Sequence, residues 1–142
     1  MILIDLQKAF DIIDYEIFFA KMQLLGFSQS TILRYKSYLM NRSFMVNVEN
    51  YTSTPGKLVC GVPQGSILGP LIFLLYVNDM ASAVDCDLLL YADDSYLVFT
   101  GHDMKTIEDT LNKNFNSLCD WFVENKSSIH WRGQDKVHCF WI

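Results

Sequence analysis

The sequence predicts an α+β domain: an antiparallel sheet with helices packed on one face. Three observations carry that prediction. Short apolar, strand-favouring runs alternate with stretches of helical periodicity, and the runs come in hairpin-like pairs rather than as strand-helix-strand units. A chain of 142 residues, 51% hydrophobic and 14% aromatic, has material for one core, so residues 1–142 are read as one domain.

Taken in order, residues 1–5 form an apolar run ending in an acid, the pattern of a buried central strand that delivers Asp5 at its C-terminal end. Residues 6–11 follow as a loop or single helical turn. From Asp14, an N-cap residue type, Ile17, Phe18, Met22, Leu24 and Leu25 recur at helical spacing until Gly26. Ser28 or Ser30 caps a second helix, in which Ile32, Leu33, Tyr35, Tyr38, Leu39 and Met40 alternate with Arg34 and Lys36. The two make a helical hairpin.

Residues 44–48 and 57–60 read as one β-hairpin, with Pro55-Gly56 as its turn signal. The loop Gly61-Val62-Pro63-Gln64-Gly65-Ser66 opens a helix capped by Ser66 and running through Leu71, Phe73, Leu74, Val77 and Met80. That helix is apolar on nearly every side and is expected to be buried. Residues 88–90 and 96–99 lie too close together for more than a tight turn, which places Tyr91-Ala92-Asp93-Asp94 at a hairpin tip. Asp103 caps a long amphipathic helix with Ile107, Leu111, Phe115, Leu118, Trp121 and Phe122 on one face, ending near Asn125. Residues 129–131 and 137–141 predict two short closing strands.

Composition narrows the function. A net charge of -5 and a pI near 5.0 have the wrong sign for a chain that binds nucleic acid by phosphate neutralisation alone, so such binding is expected to be weak and salt-sensitive. The longest apolar stretch, residues 67–77, is broken by Gly69 and Pro70 and falls short of the roughly 20 residues of a membrane span. Met1 is followed by no basic segment and no cleavage site, so the expected location is intracellular, nucleus or cytoplasm, and not secreted. Cys60, Cys86, Cys119 and Cys139 are scattered beside apolar runs and are expected as buried thiols, and His102, His130 and His138 lack zinc-site spacing.

The acids carry the chemistry. Asp-Asp in a turn is ordinarily a solvated loop. A third acid changes that reading: if the strand ending in Asp5 pairs beside the hairpin, Asp5, Asp93 and Asp94 converge, and such crowding of like charge calls for a divalent cation. Hard oxygen donors select Mg2+ or Mn2+.

Asp5-Leu6-Gln7-Lys8-Ala9-Phe10-Asp11, then Gly61 to Pro70 (GVPQGSILGP), then Tyr91-Ala92-Asp93-Asp94 resemble motifs A, B and C of reverse transcriptases, closest to the non-LTR (LINE-type) retrotransposon branch. The resemblance extends over essentially the whole chain, including Tyr76-Val77-Asn78-Asp79 and Trp121 to Lys126. It implies a palm fold in which Asp5 and Asp93 bind two Mg2+ ions with Asp94 as third acid, and in which dNTPs are joined to a DNA primer on an RNA template. Two metals about 3.5–4 Å apart suit that in-line displacement. It further implies that Phe10 is a steric gate against the ribose 2′-hydroxyl, a residue that reads equally as a core aromatic. The resemblance likewise implies that Gln64 lies near the incoming nucleotide, that Gly65 lets backbone approach closely, that Lys8 meets triphosphate oxygens and that Lys136 sits near the leaving pyrophosphate. Asp11 and Asp79 read as structural acids, and Tyr15, where the family often has histidine, reads as change at a packing position.

The family pattern also places fingers before motif A and a thumb after motif D, regions this palm would need. The competing reading is an inactive retroelement remnant that binds at most metal or protein. Another palm-type nucleotidyl transferase or cyclase is disfavoured by the Gly-Val-Pro-Gln-Gly loop followed by Tyr-Ala-Asp-Asp.

Overall fold

The computed structural model describes residues 1–6, 8–92, 94–127 and 129–130, with residues 5, 129 and 130 described through their backbone. Along the chain these form β1 (Ile2–Leu6), α1 (Tyr15–Leu24), α2 (Gln29–Leu39), β2 (Ser43–Phe44), β3 (Asn47–Val48), β4 (Tyr51–Thr52), β5 (Gly56–Lys57), α3 (Gly69–Val77), a 3-10 turn (Met80–Ala83), β6 (Asp87–Tyr91), β7 (Asp94–Val98), α4 (Met104–Glu124) and β8 (Ile129–His130).

The main sheet has the order β6-β7-β1-β8, every neighbour antiparallel. Side chains alternate across it. Ile2, Ile4, Leu6, Ser95 and Leu97 are buried, whereas Leu3, Leu89 and Tyr91 are exposed. One face is therefore covered and the other open. On the covered side the core is completed by Phe18 and Met22 of α1, Ile72, Phe73 and Tyr76 of α3, and Leu111, Leu118 and Phe122 of α4. The α+β reading holds.

Asp14 caps α1, accepting from the amides of Glu16 at 2.9 Å and Ile17 at 3.1 Å. The buried stripe of α1 is Tyr15, Phe18, Phe19, Lys21 and Met22, so Leu24, a little over half a turn beyond Met22, is 88% exposed rather than packed. Ser28, not Ser30, caps α2, accepting from Thr31 N at 3.3 Å. Asp103 caps α4 as expected.

Three expectations are corrected. The single hairpin of residues 44–60 is two short ladders, β2 with β5 and β3 with β4, the inner one closed by Ser53 N donating to Val46 O at 2.9 Å. Pro55 has no amide to continue a ladder, and Gly56 faces the Phe44 ring, which a Cβ there would meet at 2.7 Å. The helix expected from Ser66 begins at Gly69, after a turn in which Ser66 Oγ accepts from Gly69 N at 2.9 Å. It is buried on one side only, since Leu71 and Leu74 are exposed, and Met80 belongs to the separate 3-10 turn. Among the cysteines, Cys60 is exposed and Cys86 and Cys119 are half-buried; Cys139 lies outside the described residues.

Candidate active site

Strand register builds the site. Asp5 of β1 stands opposite Asp94 of β7, and Asp94 in turn stands opposite Tyr91 of β6. Asp94 shares its face with Tyr96, whose row mates Leu3 and Leu89 are exposed. Two of the three predicted acids thus occupy adjacent register positions on the open face. Beneath them Ser95, fully buried on the other face, has a side-chain oxygen without a hydrogen-bond partner among the described residues. The turn joining β6 to β7 is two residues long, and Ala92 takes φ +52°, the left-handed geometry that tight hairpin turns require. Asp93 lies outside the described residues, as does Lys136.

The motif A segment turns back at once. Lys8, at φ +52°, is exposed, and its carbonyl accepts from Asp11 N at 2.7 Å and Ile12 N at 3.2 Å. Phe10 is half-buried with its ring 5.2 Å from that of Phe73, so it packs on α3 at the edge of the core. This makes the two readings of Phe10 compatible: a ring fixed by the core from behind can still present an edge in front.

The loop of residues 61–66 is bound to the segment after Phe10. Val62 N donates to Phe10 O at 2.8 Å, Gly61 N donates to Ile13 O at 2.9 Å, and Asp14 bridges Cys60. Gln64 is exposed and its amide reaches Asp11 Oδ1 at 3.5 Å. Motifs A and B are therefore joined by backbone, with Lys8, Asp11 and Gln64 at the surface. Close approach falls at Gly61 rather than Gly65. A Cβ on Gly61, at φ +80°, would lie 2.8 Å from Asp11 O, whereas Gly65 has nothing within 4 Å and is required only by its φ of +76°.

Two structural residues escaped the sequence reading. Tyr15 is no mere packing residue: its hydroxyl meets Gly61 O at 2.9 Å and Cys60 O at 3.1 Å. Burial, first, and the nearby Cys60 raise its pKa, while Arg42 pulls the other way, so it serves as a donor. Lys21 is buried in the apolar stripe of α1. It donates to Tyr76 O at 2.7 Å, pairs with Asp79 at 2.5 Å, and lies over the rings of Tyr76 and Trp121. A lysine three residues after Phe18 on the buried stripe was the available signal. Asp79, read as a structural acid, is held by Lys21, whereas the exposed Asp11 side chain keeps, among the described residues, only the long contact to Gln64.

Aspartates at adjacent register positions are the donor chemistry of a hard cation, and the same row places His130 of β8 opposite Asp5. The third acid of that set is Asp93, and among the described residues no group of three or more His, Cys, Asp or Glu is placed to hold a metal. Among them, too, no helix is long and apolar enough to cross a membrane.

Comparison with known proteins agrees with this geometry. Residues 1–137 match the family described as reverse transcriptase (RNA-dependent DNA polymerase). The chain is 34% identical over 128 residues to the probable RNA-directed DNA polymerase from transposon BS of Drosophila melanogaster, covering 84% of this chain and 14% of that protein. It is 29% identical over 126 residues to the RNA-directed DNA polymerase from mobile element jockey of the same species, covering 83% and 14%. A shorter match, 42% over 64 residues, joins it to the probable RNA-directed DNA polymerase from transposon X-element. The chain thus spans about 14% of the length of the first two curated relatives. Family, relatives and fold converge: this chain belongs to the reverse transcriptase family, in its non-LTR, LINE-type branch.

Proposed function

We propose that residues 1–142 are the catalytic palm of an RNA-directed DNA polymerase acting inside the cell, which adds dNTPs to a DNA primer 3′-hydroxyl on an RNA template. The observation that carries the reading is the Asp5–Asp94 register on the open sheet face, beside the two-residue turn that holds Asp93. Asp5, Asp93 and Asp94 are the residues that would hold two Mg2+ ions. When bound, those ions favour the ionised primer hydroxyl and offset charge on the reacting phosphates.

The chain's own residues do the rest. Placing acids on a solvent-open face lets a primer terminus and a triphosphate reach them without opening the core. Phe10, backed by Phe73, presents a rigid edge at the sugar, which disfavours a 2′-hydroxyl. Gln64, two residues beyond the fixed Gly61–Val62 backbone, orients the nucleotide, with Gly65 giving the loop its turn. Lys8 and Lys136 are assigned to triphosphate oxygens as point charges.

The test is primer extension on an RNA template with dNTPs and Mg2+, comparing this chain joined to fingers and thumb regions with the same protein carrying Asp93→Ala and Asp94→Ala. Extension confined to the chain with intact acids is the expected result. Extension that survives the double substitution removes the acids from catalysis.

A further inference from the structure

We infer that the Tyr15 hydroxyl is a positioning group for the nucleotide-selecting loop: it fixes the carbonyl side of Gly61 and so sets where Gln64 stands relative to Phe10. The inference rests on the roles given to Gln64 and Phe10 above. Tyr15 is the first residue of α1, with its ring in the core and only 8% of its surface exposed. One phenolic proton serves two carbonyls, Gly61 O at 2.9 Å and Cys60 O at 3.1 Å. On the other side, Gly61 N donates to Ile13 O and Val62 N to Phe10 O. Gly61 is thereby held through both its amide and its carbonyl, the first by the chain leaving motif A and the second by the helix that follows it.

Beyond Val62 the support thins. Pro63 has no amide to donate, its carbonyl accepts from Ser66 N at 3.2 Å to close the turn, and the Gln64 side chain keeps one long contact to Asp11 at 3.5 Å. The turn that carries Gln64 is thus anchored to motif A at the Gly61–Val62 peptide, and Pro63 stiffens the connection. A phenylalanine in place of Tyr15 would fill the same space and leave two buried or half-buried carbonyls without their donor.

Tyr15→Phe is therefore the test, since it removes the hydroxyl and keeps the ring. Residue-resolved amide exchange should quicken about tenfold at Gly61 and Val62, one hydrogen bond's worth, while Ile4 and Leu97 in the central strands keep wild-type protection. Equilibrium dialysis with dTTP and Mg2+ should show binding weakened about three- to tenfold, with Mg2+ binding in the absence of nucleotide unchanged. Unchanged exchange at Gly61 and Val62 overturns the positioning role. Uniform quickening that includes Ile4 and Leu97 also overturns it, because that reports a general loss of stability. Faster loop exchange with unaltered dTTP binding overturns the link to nucleotide selection. If the unsubstituted chain binds no dTTP, the nucleotide roles above fail, and the exchange pattern still decides whether Tyr15 holds the loop.

Discussion

Gly61 and Gly65 stand in one loop, share a left-handed backbone and should respond to the same substitution very differently. At Gly61 an alanine first meets the torsional penalty of φ +80°, about 1–2 kcal/mol. Its Cβ would then sit 2.8 Å from Asp11 O, 3.0 Å from Asp11 Cα and 3.1 Å from Asp11 C. All three are backbone atoms, so no side chain can swing aside. The two segments must part, which weakens the Val62–Phe10 and Gly61–Ile13 bonds and the Tyr15 contact. Losing the equivalent of one or two of these adds about 1–2 kcal/mol. Gly61→Ala should therefore cost about 2–4 kcal/mol. At Gly65 the torsional penalty of φ +76° acts alone, with open space around the added methyl. The stiffer unfolded chain offsets part of it, leaving about 0.5–1 kcal/mol. Urea unfolding followed by far-UV circular dichroism measures both. Equal losses at the two positions, or less than about 1 kcal/mol at Gly61, would refute the claim that the loops are in backbone contact.

Lys21→Met keeps the volume of the stem and gives up the bond to Tyr76 O and the pair with Asp79, whose half-exposed carboxylate returns to water. Burial, opposed by Asp79, lowers the Lys21 pKa, so the fold already disfavours its charge, and the net loss should be only about 1 kcal/mol. Lys21→Ala also loses the packing of that stem and should cost about 2–3 kcal/mol; urea midpoints separate the two. At Asp14, burial raises the pKa but Lys126 and the amides of Ile17 and Glu16 bring it below the ordinary value. A depressed carboxyl stabilises above its unfolded pKa and loses that contribution as pH falls through its folded pKa. The gap in urea midpoint between wild type and Asp14→Asn, which keeps the cap, should be present near pH 7 and close as pH falls below the ordinary carboxylate range. Ser28→Ala should cost about 0.5–1 kcal/mol through the lost cap of α2, measured by thermal melting, with Ser30→Ala neutral.

Most of the fold was legible because its signals are local. Alternating apolar runs, the caps Asp14 and Asp103 and the adjacency of residues 88–99 require only neighbours in sequence. The failures were non-local. Residues 44–60 read as two strand runs about a Pro55-Gly56 turn, and the tertiary placement of Phe44 over Gly56 instead pairs that turn glycine into a ladder with β2. The apolar helix α3 looked buried on all sides because composition does not say which faces meet a partner, and Leu71 and Leu74 are open.

At the site the same division holds, and it has a physical source. Acids at strand ends advertise themselves, since no apolar packing role competes for an aspartate, and the register opposite Asp94 followed from pairing β1 beside the hairpin. What was missed are groups that act on backbone. Gly61, Tyr15 and Lys21 all work by meeting a carbonyl or a main chain belonging to another segment. Backbone atoms are the same at every residue, so their partners leave no mark on the sequence at the receiving end. A tyrosine in a buried stripe looks like packing until Gly61 O is found against its hydroxyl, and a glycine in a loop looks like a turn until Asp11 is found against its Cα. The acids of this domain are therefore readable once the motifs are taken together along the sequence, whereas the framework that places them relative to Gln64 and Phe10 exists only once motifs A and B are folded against each other.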